Sequence, residues 1–277
     1  MVQNILPRLF PLPSPRNYMN DVDHRHWLDL DAELNEWQRL GRPATMWIRD
    51  DDATCSSEPF RRLIALTAGQ GIPLAVSIIP ELLENSLSFM LDKRLPIDVL
   101  VHGHAHVNHE PEGSKKSEFG PHRRLPQSIR EICDSLNKLS ISFPSELVEG
   151  FVPPWNRIDE KVIDVLYDAG YRMLSTFTPR SSQYARRGLK QVNCHVDIID
   201  WRGTKKFTGV SQTIAAVVGH LSQRRRGMCD PTEPTGILTH HLNHDEDCWS
   251  FLNDFVKKVS KHPGQEWIRL RSLMDIK

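Results

Sequence analysis

The sequence predicts an α/β fold built on a largely parallel sheet, and three observations carry that prediction. Apolar runs of strand length alternate with amphipathic stretches of helix length, the order expected when helices cover a sheet of parallel strands. Polar clusters follow those apolar runs within a few positions: Asp50–Asp52, His102–His109, Pro153–Arg157, Asp197–Trp201 and His240–His244. In parallel α/β folds the reactive groups gather at the carboxyl ends of strands, which is where these clusters fall. There is no internal repeat, low-complexity tract or evident linker to divide the chain.

Residues 1–43 start proline-rich and then read as a polar helix from Asp29 to Leu40, an N-terminal extension packed on the rest of the chain. Residues 44–277 read as one catalytic domain. Its first elements are a strand Thr45–Asp52, a helix Pro59–Gly69, a strand Pro73–Ile79 and a strand Val99–His102. A helix Pro126–Leu139, strand Leu147–Val152, helix Asp159–Ala169 and strand Met173–Phe177 come next. The segment Val196–Trp201, helix Gln212–Gln223, strand Gly236–Thr239, helix Asp247–Ser260 and strand Trp267–Leu270 complete the pattern.

Composition excludes several function classes. Lys plus Arg and Asp plus Glu are 35 each, so charge gives no reason to expect a nucleic-acid partner. The run Arg224–Arg226 reads as a solvated helix end. The 5 cysteines are scattered, odd in number and without a C-x-x-C pair, which argues for reduced thiols in a cytoplasm. The first residues lack the basic start and apolar core of a signal peptide, and no apolar window is long enough for a membrane span. A G-x-S-x-G elbow is also missing, so a serine nucleophile has little support.

The most informative stretch is His102-Gly103-His104-Ala105-His106-Val107-Asn108-His109, which follows the apolar run Ile97–Val101. Imidazoles gathered at a strand end suggest a metal site or proton transfer near neutral pH. His102 and His106, four apart where a strand gives way to a turn, can face one point, and a carboxylate would complete a three-ligand set. Three protein ligands leave a position for a water whose pKa a zinc-like cation lowers towards about 7. Zinc suits such a set, as do cobalt, manganese and iron. His104 reads as packing or facing solvent, His109 is an alternative ligand, and Gly113–Gly120 reads as a solvated polar loop beside the site.

Five motifs in order resemble the polysaccharide deacetylase superfamily, the NodB homology domain of carbohydrate esterase family 4. That family carries an Asp-Asp pair, H-[ST]-x-x-H, an R-P-P-[YFW] loop, an Asp-x-x-Asp-Trp segment and a late L-x-H. The matching stretches are Arg49-Asp50-Asp51-Asp52-Ala53, His102–His106, Val152-Pro153-Pro154-Trp155, Asp197-Ile198-Ile199-Asp200-Trp201 and Leu238-Thr239-His240. The resemblance implies a distorted (β/α) barrel of about seven strands. It also implies one divalent metal held by an Asp and two His, and hydrolysis of an acetamide or related carbon–nitrogen bond, with an N-acetylated carbohydrate as the substrate.

Carried over residue by residue, the resemblance makes Asp51 the general base, Asp52, His102 and His106 the metal ligands, and His240 the acid that protonates the leaving group. Asp200 would orient His240, and Pro154, Trp155, Trp201 and Leu238 would line the substrate site. The register of Asp50, Asp51 and Asp52 stays open by one residue. In a regular strand Asp50 and Asp52 share a face and Asp51 points away, so adjacent carboxylates meet at one site only where the strand bends. Asp50 would then pair with Arg49 or another base. His241 rivals His240, because only one of two neighbours on a strand faces the pocket.

The pattern departs at Val152, where the family has an arginine that pairs with the base. Arg157 is the candidate to supply that charge. A hydrolase of a non-sugar amide, as in allantoinase-like members, and a catalytically silent carbohydrate-binding domain are the competing readings.

Overall fold

The computed structural model describes residues 21–91 and 95–274, with side chains from residue 23 onward. The first part of the expected N-terminal extension lies outside them. The extension's helix, α1 (Asp21–Arg39), begins earlier than the polar pattern suggested. It buries Leu30, Leu34 and Trp37 in the main core, and Trp27 stacks on Phe251 at 5.9 Å.

The sheet begins with β1 (Ala44–Ala53), β2 (Leu74–Ile78), β3 (Ile97–His102), β4 (Leu147–Val152) and the short β5 (Met173–Leu174), each parallel to the one before. A hairpin of β6 (Tyr184–Arg186) and β7 (Leu189–Gln191) follows, then β8 (Val196–Asp197), β9 (Thr235–Thr239) and β10 (Gln265–Trp267). Only the β6–β7 pair is antiparallel among the pairings of the described strands. β9 joins β1 on one side and β8 on the other. β7 lies beside β5, and a bridge between Phe177 and Cys194 continues that pairing towards β8. The run from Leu189 to Asp197 therefore closes β5 against β9, which gives the expected barrel of about seven strands.

The helices α2 (Glu58–Gly69), α3 (Asn85–Met90), α4 (Leu125–Ser142), α5 (Glu160–Leu166), α6 (Val210–Arg225) and α7 (Glu246–Ser260) lie between strands along the chain. Local chemistry sets their starts: Ser57 caps α2, Asp159 caps α5 and Asp245 caps α7, each accepting a backbone N–H of the first turn. Strand alternation separates two apolar layers. Met46, Ile48, Val76, Val99 and Val101 pack against the helices, whereas Trp47, Ala75, Leu100, Val152 and Leu238 fill the barrel interior. The C-terminal segment seals the bottom of the barrel, where Arg269 and Arg271 both bind the buried Asp98 on β3.

Three expectations need correction. The strand expected over Met173–Phe177 stops at Leu174, with Phe177 retained only as the bridge to Cys194. The segment Val196–Trp201, to which the sequence assigns no element, starts as strand β8 and leaves it after Asp197, whose side chain accepts the N–H of Ile199 and turns the chain. The last strand lies at Gln265–Trp267 rather than Trp267–Leu270, and Leu270 starts a 3-10 turn. Arg224 is not solvated: it is 1% exposed and donates to the Thr45 carbonyl and the Thr235 hydroxyl, tying α6 to β1 and β9.

Candidate metal centre and active site

The carboxyl ends of β1, β3 and β9 carry most of the site. On β1 the side chains of Trp47, Arg49 and Asp51 point into the barrel, as residues two apart on a strand must. Asp50 points out, where it accepts from the Thr239 hydroxyl, the His241 N–H and the His241 ring at 2.5 Å. At Asp52 the alternation breaks. Its φ is +70°, and the register with β2 shifts between Asp50 and Ala53. That bulge is the bend two adjacent carboxylates require, and it sends Asp52 towards β3 next to Asp51.

At the end of β3, His102 Nε2 lies 3.1 Å from Asp52 Oδ1, and His106 Nε2 lies 3.3 Å from the same oxygen. Two ligands on a tetrahedral zinc, each about 2.0–2.1 Å from it, sit roughly 3.4 Å apart, so the donor spacing suits one cation. His102 Nδ1 donates to the Val152 carbonyl at 3.0 Å, which turns Nε2 towards the Asp52 carboxylate; burial lowers the His102 pKa, but Asp51 and the bond to Asp52 outweigh it and raise it. A proton on Nε2 bridges the two groups here, and a divalent cation held by the three residues would take its place. Burial and His102 together hold the His106 pKa below its usual value, so its imidazole is neutral and able to ligate. Burial would raise the Asp52 carboxyl, but bonding to His102 overrides it and holds the pKa well below the ordinary range.

Asp51 is held differently. Arg49 Nε and Nη2 each donate to one of its oxygens at 2.9 Å, in a pair that is 0% and 2% exposed. Burial pushes the Asp51 pKa up; Arg49, then His102 and His240, outweigh it and keep the carboxylate ionised. Arg49 also donates to Ser175 Oγ and Asn156 Oδ1, so it links β1, β5 and the loop after β4. The charge expected from Arg157 therefore comes from Arg49. Arg157 is exposed and donates to the Lys116 carbonyl.

His240 and His241 divide as strand alternation demands. His241 turns outward to Asp50, whereas His240 has its ring edge-on to Trp201 at 4.8 Å and its Nδ1 3.9 Å from Asp197 Oδ1. Asp197 also accepts the Trp201 indole N–H at 2.8 Å. Asp200 does not meet His240. Its carboxylate accepts the N–H groups of Gly203 and Thr204 and closes a local turn, so Asp197 takes the place expected of Asp200.

Trp155 packs 4.4 Å from His106, and Pro154 is buried against the same turn. Leu238 is 1% exposed in the barrel interior, beside Arg49 in the β1–β9 register, and it forms the floor rather than the wall. His104 bonds Ser135, and neither it nor His109 joins the Asp52 group. Asp52, His106, Trp155 and Asn156 all have φ near +55° to +70°, an arrangement rare outside glycine that concentrates at functional sites.

A second group, His195, His220 and Glu233, also brings ligand atoms together at the opposite end of β8 and β9. It differs from the first in lying away from the carboxyl ends of the strands, with one nitrogen of each imidazole bonded inside the protein. The Gly236 N–H donates to His195 Nδ1, which puts the imidazole proton on Nε2, facing Glu233 at 3.3 Å. Glu233 accepts two further backbone N–H groups, from Arg180 and Asn193.

No family model matches the sequence, and no curated protein matches it. Solved structures do. An acetyl xylan esterase of family 4 from Clostridium thermocellum, in complex with a cobalt ion, aligns at TM-score 0.53 and 13% identity over 83% of this chain and 90% of its own. A family 4 carbohydrate esterase from Streptomyces lividans in complex with acetate aligns at 0.51 and 14%, over 78% and 88%. A peptidoglycan deacetylase from Bacillus subtilis aligns at 0.52 and 12%, over 84% and 90%. With the barrel closed through β8 and β9, the chain has the fold of the polysaccharide deacetylases.

Proposed function

We propose that this protein is a metal-dependent hydrolase that deacetylates an N-acetylated carbohydrate. The observation that carries the reading is the Asp52–His102–His106 donor set, with the His102 tautomer fixed, beside an Asp51 that Arg49 keeps ionised. A divalent cation held by those three residues would acidify a water and polarise the acyl oxygen, and zinc, cobalt, manganese and iron all suit the set.

The remaining chemistry belongs to the chain. Asp51 takes a proton from the attacking water, and its ionised state at neutral pH follows from Arg49. His240, with Asp197 behind it and Trp201 fixing its edge, delivers a proton to the leaving nitrogen. The faces of Trp155 and Trp201 flank the site and suit the apolar faces of a sugar ring. Residues 44–277 would form the catalytic unit, with α1 part of an extension docked on it. No helix among the described residues is long and apolar enough to cross a membrane. The five cysteines are free, in keeping with a cytoplasmic site of action.

The test is elemental analysis of the wild type and of His102→Ala/His106→Ala, followed by acetate release from a panel of N-acetylated sugars. The expected result is about one divalent ion per chain, lost in the variant, with acetate released only by the wild type. Metal without acetate release would redirect the reading to another amide. Wild type and variant alike free of metal after metal-replete purification would overturn it.

A further inference from the structure

We propose that Glu118 is a positioning residue for the metal centre, its carboxylate clamping the backbone turn that carries His102 and His106. The proposal rests on the metal-centre reading above.

The turn leaves β3 without a regular hydrogen-bonded pattern, so its N–H groups need partners other than a neighbouring strand. Glu118 supplies them. One oxygen accepts from His104 N at 3.0 Å, and the other accepts from Ala105 N at 2.8 Å and Val107 N at 3.3 Å. The side chain is 1% exposed although it lies in a stretch of Gly, Ser and Lys that reads as solvated loop. Bonds to an ionised acceptor are stronger than neutral ones, and three of them on one turn leave it little freedom.

Gly103 is the other half of the device. It stands where the related motif has Ser or Thr, adopts φ +61°, and a Cβ added to it would lie 2.1 Å from the Glu118 carboxylate. The carboxylate thus occupies the space a side chain at position 103 would need. The segment bearing Glu118 is itself anchored. Ser117 N donates to Asn108 Oδ1, Ser117 Oγ donates to the Arg157 carbonyl, and Arg157 returns a bond to Lys116 O, the role found for Arg157 above. The chain therefore runs from the loop after β4, through Glu118, to the two imidazoles.

The test measures metal affinity by chelator competition in the wild type, Glu118→Ala and Glu118→Gln, and amide hydrogen exchange of the metal-free proteins. Glu118→Ala should weaken zinc binding by about 10–100-fold, the usual cost of losing an outer partner of a metal site. It should also speed exchange at His104 and Ala105 while α4 and α6 stay protected. Glu118→Gln keeps the shape, turns one acceptor into a donor and should shift both readouts the same way by less. It decides the matter if the alanine variant does not fold. Unchanged affinity in a folded variant overturns the clamp while leaving the metal centre standing. A wild type that binds no metal overturns the metal centre, and the clamp with it.

Discussion

Replacing Arg49 with Met is the sharpest perturbation of the site, because it removes a buried cation while keeping an unbranched apolar stem in the barrel interior. Asp51 would then be a carboxylate 2% exposed with no cation bonded to it. Removing one partner of a buried pair costs about 3–5 kcal/mol, mostly from stranding the other charge. The Ser175 and Asn156 oxygens each lose a donor as well. The pH dependence fixes the cause. In the wild type the Asp51 pKa lies below 3.8, so its stabilising contribution is present above the unfolded value and disappears as pH falls through the folded one. Without Arg49, burial is opposed only by the histidines and the folded pKa rises. The ionised carboxylate then destabilises at neutral pH, and protonation relieves it as pH falls through the raised value. Urea unfolding from pH 7 downward should therefore show the gap between wild type and Arg49→Met widest at neutral pH and narrowing in acid. Adding Asp51→Asn to Arg49→Met should recover part of the loss at pH 7 and flatten the dependence, while Arg157→Met should leave the profile unchanged. A loss below about 1 kcal/mol at pH 7, typical of an exposed pair, or a gap that widens in acid, would refute the reasoning.

Two further outcomes follow from the geometry. Asp197→Asn should lower acetate release by about 10-fold or more, as expected for the partner of a proton-transferring imidazole. Asp200→Asn should leave release intact and instead speed amide exchange at Gly203 and Thr204; the opposite ranking would return Asp200 to the site. Gly103→Ala should yield folded protein with little metal by elemental analysis, since the added carbon needs the space of the Glu118 carboxylate and a φ of +61°. A full complement of metal in that variant would show that the turn can rearrange.

The order of elements was legible because periodicity records which face of a strand is buried, and the buried runs here are long. The histidine pair was legible for a related reason: β3 is wholly buried up to His102, so a run of imidazoles after it has few places to go. Local breaks in periodicity were not legible. Motif order pointed to Asp200, but the Asp197 side chain accepts the N–H two residues on, an Asx turn that the apolar Ile198 and Ile199 do not announce. Glu118 lay in a segment whose composition pointed to solvent, and nothing local tells that a glutamate there meets the amides of a turn more than ten residues away.

Arg49 is the instructive case, because its signal was present. Likeness to the family points to a cation at position 152, which is Val here, and next to Arg157 beyond it. Strand geometry alone places Arg49 and Asp51 on one face of β1, two residues apart, whatever happens at Val152. An arginine with no exposure inside a barrel has to be paired, and the adjacent inward carboxylate is its nearest partner. With the cation on β1, Val152 can fill the barrel interior with an apolar side chain while its carbonyl fixes the His102 tautomer. The charge expected at the end of β4 is thus supplied from β1. Both members of the ion pair stand on β1, and the bonds from Arg49 to Ser175 and Asn156 hold the guanidinium in line with Asp51. The bulge at Asp52 then becomes the decisive local feature: if β1 ran on regularly, Arg49 and Asp51 would still pair, but Asp52 would follow Asp50 outward and the two histidines would face no carboxylate.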